Sequence, residues 1–154
     1  MSERQRQIFA WLVLTLVVLL MGHIVASILS PVLGFITTVL LQGAAAAGLP
    51  EAVSTAIVIV FRLLMITARC AAIGFAYRVF FDDPWRKAGL YAWAVIVVVS
   101  VLPSARTLTS VWFYADTAVS GAAAMAGAWY AHQQRHNQHV RAVRDGLLGF
   151  LRID

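Results

Sequence analysis

Three charged side chains lie well inside apolar stretches of the sequence, where a charge facing lipid is costly. Arg62 and Arg69 lie in the stretch 52–80, and Asp116 is the only acidic residue in any other apolar stretch. A charge at the bilayer centre costs about 2.5–3.5 kcal/mol on insertion scales, so it usually faces a bundle interior and has a partner. Depth along the helices makes Asp116 the expected partner of Arg62. Arg69 lies nearer the inner end, from where a long side chain can reach headgroups.

Helical periodicity places further polar residues beside this pair. At 100° per residue, a seven-residue spacing keeps side chains on one face of a helix. Three helices therefore contribute polar stripes to the outer half of one bundle. His23, about 10 Å below the outer surface by a rise of 1.5 Å per residue, is the third member of the expected site. The supporting positions are Thr55 and Arg69, Thr109 and Ser120, and Ser27.

Two interpretations of Arg62, Asp116 and His23 follow from their chemistry. In the first, they form a water-accessible site for a proton, an ion or a small polar solute, in which Asp116 exchanges a proton, Arg62 fixes its charge state and His23 acts as a relay or gate. In the second, Arg62 and Asp116 form an ion pair that fixes helix register, and His23 bonds to a backbone carbonyl or a serine. The sequence alone leaves both open.

Catalytic and metal chemistry have weaker support. No nucleophile has an adjacent base, no glycine loop suits phosphate, and Cys70 is the only cysteine, so an enzyme is the weakest class and no cofactor is expected. His132 and His136 share a helical face and are a weak candidate for a divalent metal. The polar residues around them favour a solvated helix leaving the membrane instead.

Composition places the chain among membrane proteins. Of its 154 residues, 61% are hydrophobic and 12% are charged, with a mean hydropathy of +0.80. A soluble domain is about 25% charged. The net charge of +5 comes from basic residues that cluster at the ends of apolar segments, which argues for membrane topology and against nucleic acid.

The apolar segments predict an all-α integral membrane bundle. A helix of about 20 residues crosses the hydrocarbon core. Four transmembrane helices are expected, at 8–29, 52–79, 85–104 and 108–131. The stretch 32–49, bounded by Pro31 and Pro50, is expected to be re-entrant or interfacial, or a kinked continuation of the first helix. Residues 1–131 would form the transmembrane domain, and residues 132–154 a cytoplasmic, basic, amphipathic tail.

Topology follows from the positive-inside rule. Four spans with both termini inside place Arg4, Arg78 and the basic tail in the cytoplasm, in a bacterial-type inner membrane. The first segment resembles an uncleaved signal anchor. Trp and Tyr residues concentrate at membrane interfaces, so Trp11 and Trp93 are expected near the inner surface and Trp112 near the outer one.

Two functions fit these expectations. The first is a small transporter-like or channel-like membrane protein, a homo-oligomer with Arg62 and Asp116 at its polar site. The second is a non-catalytic accessory or structural subunit of a larger membrane complex. The partners are then the lipid bilayer and either further copies of the chain or another membrane subunit.

Overall fold

The fold is all-helical wherever the structure describes it. The computed structural model describes residues 3–81, 84–101 and 111–134, together with positions 142, 145 and 146. In this part of the chain there are four helices and no strand: α1 (Glu3–Ala46), α2 (Glu51–Phe80), α3 (Trp85–Val101) and α4 (Val111–Gln133). The expected amphipathic tail falls almost entirely outside the described residues.

Residues 32–46 continue the first helix, which corrects the expected boundary after Leu29. α1 runs unbroken through Pro31 for 44 residues. Proline removes one backbone donor, so the carbonyl of Ser27 has no helical partner. The neighbouring turns compensate in part, because Thr37 and Thr38 donate their hydroxyls to the carbonyls of Leu33 and Gly34 at 2.7 and 2.9 Å. Of the possibilities for the stretch 32–49, residues 32–46 are therefore a continuation of the first helix.

A tight turn at residues 47–50 separates α1 from α2. Gly48 has a φ of +64°, in the left-handed region that glycine enters without steric cost. Gly48 donates to the carbonyl of Ala45, and Leu49 donates to that of Ala44, both at 3.0 Å. This is the Schellman pattern that satisfies the last carbonyls of a helix. Pro50 then precedes α2 and lacks the donor that a helix start would leave unsatisfied.

Contacts along the helices define their directions. Tyr77 donates to Thr15 at 3.2 Å, so α1 and α2 pack antiparallel across their turn. Gly89 lies against Met125, and Gly121 lies against the Trp93 ring, so α3 and α4 are antiparallel as well. α2 contacts the other three helices and runs parallel to α4. The order is up, down, up, down, with α2 at the centre.

The buried core lies at one end of this bundle. It contains Leu14, Val18, Ile73, Ala76, Tyr77, Phe80, Ala88, Ala92, Ala124 and Ala128. An aromatic cluster adjoins it, in which Trp11 packs on the rings of Tyr77, Phe81 and Tyr91 with centroids 4.9–6.5 Å apart. The other end, formed by the second half of α1 and the first half of α2, buries little besides Ala44.

Two helices are long and apolar enough to cross a membrane, within the part of the chain that is described. They are Ile8–Ala46 and Glu51–Phe80. α3 has 17 described residues, and α4 is rich in alanine and carries Asp116. In the most apolar window of each long helix only 17% and 11% of the residues are buried, unlike in the core helix of a soluble protein.

Candidate functional site

An ion pair between α2 and α4 is the centre of the candidate site. The Nη2 of Arg62 donates to the Oδ2 of Asp116. α2 and α4 run in the same direction, and each of the two residues lies in the amino-terminal half of its helix. This is the contact that depth and helical phase predict for these two residues. Asp116 is also the only carboxylate in an apolar segment of the sequence.

The pair lies at the surface of the bundle rather than inside it. The side chain of Arg62 is 56% exposed, and that of Asp116 is 25% exposed. A guanidinium has five N–H donors and a carboxylate has about four acceptor sites, so one contact leaves most of this capacity unused. The site can therefore bind a further polar or charged group without losing its internal contact.

α3 holds the α4 segment that carries Asp116. The indole Nε1 of Trp93 donates to the carbonyl of Thr117 at 3.0 Å, and Ser120 donates to the same carbonyl at 2.8 Å. The Thr117 hydroxyl donates in turn to the Phe113 carbonyl at 2.7 Å. These bonds fix the backbone next to Asp116 and thereby the direction from which its carboxylate meets Arg62.

Close backbone packing sets the distance between α2 and α4 below the pair. A methyl group at Gly74 would overlap the carbonyl of Ala124, and one at Gly127 would overlap the carbonyl of Ala71. The spacing is reciprocal, since each helix offers an alanine and, three residues later, a glycine. Small residues permit such approach in membrane helices. We call this contact of Ala71 and Gly74 with Ala124 and Gly127 the α2–α4 seam. It leaves no room for a solute path between the two helices at this level.

His23 lies away from the pair. Its neighbour Gly22 packs against Ile73 and the carbonyl of Arg69, so His23 is level with Cys70 on α2. That level is about 12 Å along the axis from Arg62. The expected depth was counted from the inner end of the first span, which does not give the level of α1 relative to α2; the packing of Gly22 does. His23 is exposed and has no hydrogen bond or ion pair with another described residue.

The structure describes four of the five supporting positions. Ser120 is buried and donates to the carbonyl of Thr117, whereas Thr55, Ser27 and Arg69 are exposed. Thr109 lies outside the described residues, as does His136. His132 is exposed at the end of α4, and no group of three or more metal-ligating side chains occurs among the described residues.

Two residues near the site or its supporting core lie where the sequence did not place them. Trp93 was expected at the inner interface but is half-buried at the level of Gly121, where its N–H meets a backbone carbonyl. Arg78 was expected on the cytoplasmic side and is buried in the last turn of α2, at 6% exposure. Gly121, which faces the Trp93 ring, was the available signal in the sequence, because a large ring needs a small residue opposite it.

The chain matches no protein-family model, no curated protein and no solved structure. The fold and the ion pair therefore define only a broad class. It is an all-helical protein with two helices able to cross a membrane and a charged pair on the surface of its bundle.

Proposed function

We propose that the protein is a subunit of a membrane protein complex, with four spanning helices in an inner membrane and both termini in the cytoplasm. Its Arg62–Asp116 pair faces another membrane polypeptide. The observation that carries this proposal is an arginine that is paired yet more than half exposed in the middle of an apolar helix. In lipid such a group is stable only when a neighbouring protein covers it.

The distribution of apolar side chains supports a membrane location. α1 exposes Leu16, Ile28 and Leu40 at 68%, 66% and 45%, and at 100° per residue these three positions lie about 120° apart around the helix axis. A helix that is apolar on all sides belongs in lipid or in the core of a larger assembly. Burial within this chain does not account for that surface.

The position of the pair supports a subunit over a self-sufficient transporter. A transport site needs a water-accessible cavity enclosed by protein, whereas Arg62 lies on the outside of the described helices. The α2–α4 seam at Gly74 and Gly127 also closes the space between the two helices about 15 Å along the axis from the pair. The surface depression among Gln5, Ile8, Phe9 and Leu12 is open and lies near the start of α1.

The length of α1 also supports a subunit that contacts a partner protein. The apolar part, Ile8–Ala46, is 39 residues and therefore about 58 Å long. A hydrocarbon core is about 30 Å thick, and membrane helices tilt by at most about 40°. Part of the apolar surface of α1 thus extends past the hydrocarbon, where a partner protein would cover it.

Transport is the second candidate, and the exposure of Asp116 favours it. A carboxylate that is 25% exposed beside an arginine can exchange a proton or meet an ion where several copies surround a common path. In that arrangement the homo-oligomer, rather than the single chain, encloses the site.

Two measurements decide between these functions. Extraction from native membranes into lipid discs, followed by native mass spectrometry, is expected to show this chain with a second polypeptide in fixed stoichiometry. The purified chain alone in liposomes is expected to conduct neither protons nor small ions. A homo-oligomer whose flux is abolished by Asp116→Asn would overturn the subunit proposal in favour of transport.

A further inference from the structure

We infer that the exposed Arg62–Arg69 face of α2 binds a transmembrane helix of a different protein, and that this helix carries a carboxylate near the middle of the bilayer. The inference rests on the proposed function and names the chemistry of the partner. The face comprises Thr55, Arg62 and Arg69, all exposed and seven residues apart. A seven-residue repeat is the spacing at which one helix packs along another.

Charge balance is the first argument. Arg62 and Arg69 contribute two positive charges within the apolar part of α2, and Asp116 neutralises one of them. Among the described residues Arg69 has no hydrogen bond or ion pair from its side chain, and it is exposed. His23 lies at its level but cannot neutralise a cation. Among the described residues, the second positive charge of this face has no counter-charge.

Depth is the second argument. Arg62 and Arg69 lie at equal distances, about 16 Å, from the two ends of α2. Each is therefore about 5 Å from the helix midpoint and about 10 Å from the edge of a 30 Å hydrocarbon core. Snorkelling serves residues near helix ends. The structure thus makes Arg69 as deep as Arg62, and a lipid headgroup is a poor counter-ion for it.

A second copy of the chain does not supply the missing negative charge. Each copy brings two arginines and one aspartate at this depth, so every homo-oligomer carries the same excess of one positive charge per chain. The remaining acidic residues, Glu3, Glu51, Asp82, Asp83, Asp145 and Asp154, lie outside the apolar segments. The balancing carboxylate therefore belongs to another protein.

The test uses designed membrane helices as stand-ins for the partner. The full-length chain, labelled with a donor fluorophore, is reconstituted in phosphatidylcholine bilayers with an acceptor-labelled leucine–alanine helix that carries one central Glu or Gln. We expect the Glu helix to associate about tenfold more tightly than the Gln helix, corresponding to roughly 1–2 kcal/mol for a polar contact between membrane helices. Equal association of the two helices would overturn the inference.

Arg69 is the residue to vary, because its side chain forms no hydrogen bond or ion pair with another described residue. Arg69→Gln is expected to abolish the preference for the Glu helix, and Arg69→Glu to reverse it toward a helix with a central Lys. Arg86→Gln, which changes an exposed arginine over the Trp85 ring, is the control and keeps the wild-type preference. A preference unchanged by Arg69→Glu would contradict the inference.

Further outcomes separate the alternatives. Resonance transfer between two labelled copies, lost in Arg69→Gln, would assign the face to self-association. Loss of the Glu preference when phosphatidylglycerol is added would assign the counter-charge to anionic lipid. Protease digestion of the same vesicles reports insertion: a chain that is fully digested refutes the membrane proposal, whereas a protected chain without helix preference refutes only the partner assignment.

Discussion

Arg62 and Asp116 form a contact that links two helices by charge at the edge of their interface. Arg62 is 56% exposed, so water partly solvates the ion pair wherever neither lipid nor protein covers Arg62. The contribution of the pair to stability therefore depends on what covers this side chain. Breaking one side leaves an uncompensated charge on the other, which is more costly than removing both. This asymmetry allows a direct test of the pair.

Replacing one member of the pair is expected to destabilise the fold more than replacing both. Arg62→Gln and Asp116→Asn should each lower the free energy of unfolding in lipid, and the double variant should recover part of the loss, with a coupling energy of about 1 kcal/mol. Denaturant titration in bicelles measures all four proteins. Additive losses would show that the contact contributes nothing to stability.

Trp93 is expected to stabilise the α4 segment that carries Asp116. Trp93→Phe removes the N–H that the Thr117 carbonyl accepts and should cost about 1 kcal/mol of unfolding free energy. Trp112→Phe is the matched control, since Trp112 is 52% exposed and should tolerate the change. Equal stability of the two variants would argue against a role for the indole bond.

At the scale of elements, the packing of α2 on α4 depends on two glycines, whereas the second half of α1 packs loosely. Gly74 and Gly127 each face a backbone carbonyl of the other helix, so there is no flexible side chain to move aside. Around Gly34 and Gly43, by contrast, there is open space. Identical substitutions at these positions should therefore have different effects.

Gly74→Ala and Gly127→Ala are expected to destabilise the protein by about 1–3 kcal/mol each, because overpacking pushes the two helices apart. Gly34→Ala, the control, should be neutral or stabilising by up to about 1 kcal/mol, because alanine favours the helix and meets nothing. Unfolding in bicelles gives the three values. A Gly74→Ala variant as stable as wild type would contradict the seam.

At the scale of the whole molecule, α1 and α2 form a long apolar hairpin on which α3 and α4 pack at one end. The buried core lies where all four helices meet, and the hairpin tip at Gly48 lies at the opposite end of α1 from Gln5. In a membrane, this geometry places the tip and the amino terminus on opposite sides.

Topology can be measured with single cysteines in a Cys70→Ser background. Gln5→Cys is expected to react with an impermeant maleimide from the cytoplasmic side, and Leu49→Cys from the opposite side. Phe35→Cys, at 71% exposure in the middle of the hairpin, should react slowly from either side because lipid or a partner covers it. Labelling of Gln5→Cys and Leu49→Cys from the same side would refute a spanning hairpin.

The sequence was enough to predict the four helices that the structure describes, the start of α2 after Pro50, and the pairing of Arg62 with Asp116. These follow from apolar length, the chemistry of proline and the scarcity of carboxylates in apolar segments, all of which are local or compositional. Apolar length also predicted helices able to cross a membrane, and the described part of the chain contains two of them.

Only the tertiary structure decided the level of His23 and the partner of Trp93. His23 was misplaced because its level relative to α2 depends on how Gly22 packs against Ile73 and the carbonyl of Arg69, which are far away in the sequence. Trp93 was assigned to an interface because its partner, the Thr117 carbonyl, belongs to a different helix. Register between helices comes from side-chain packing over long sequence separations, and no local pattern in a single chain specifies it.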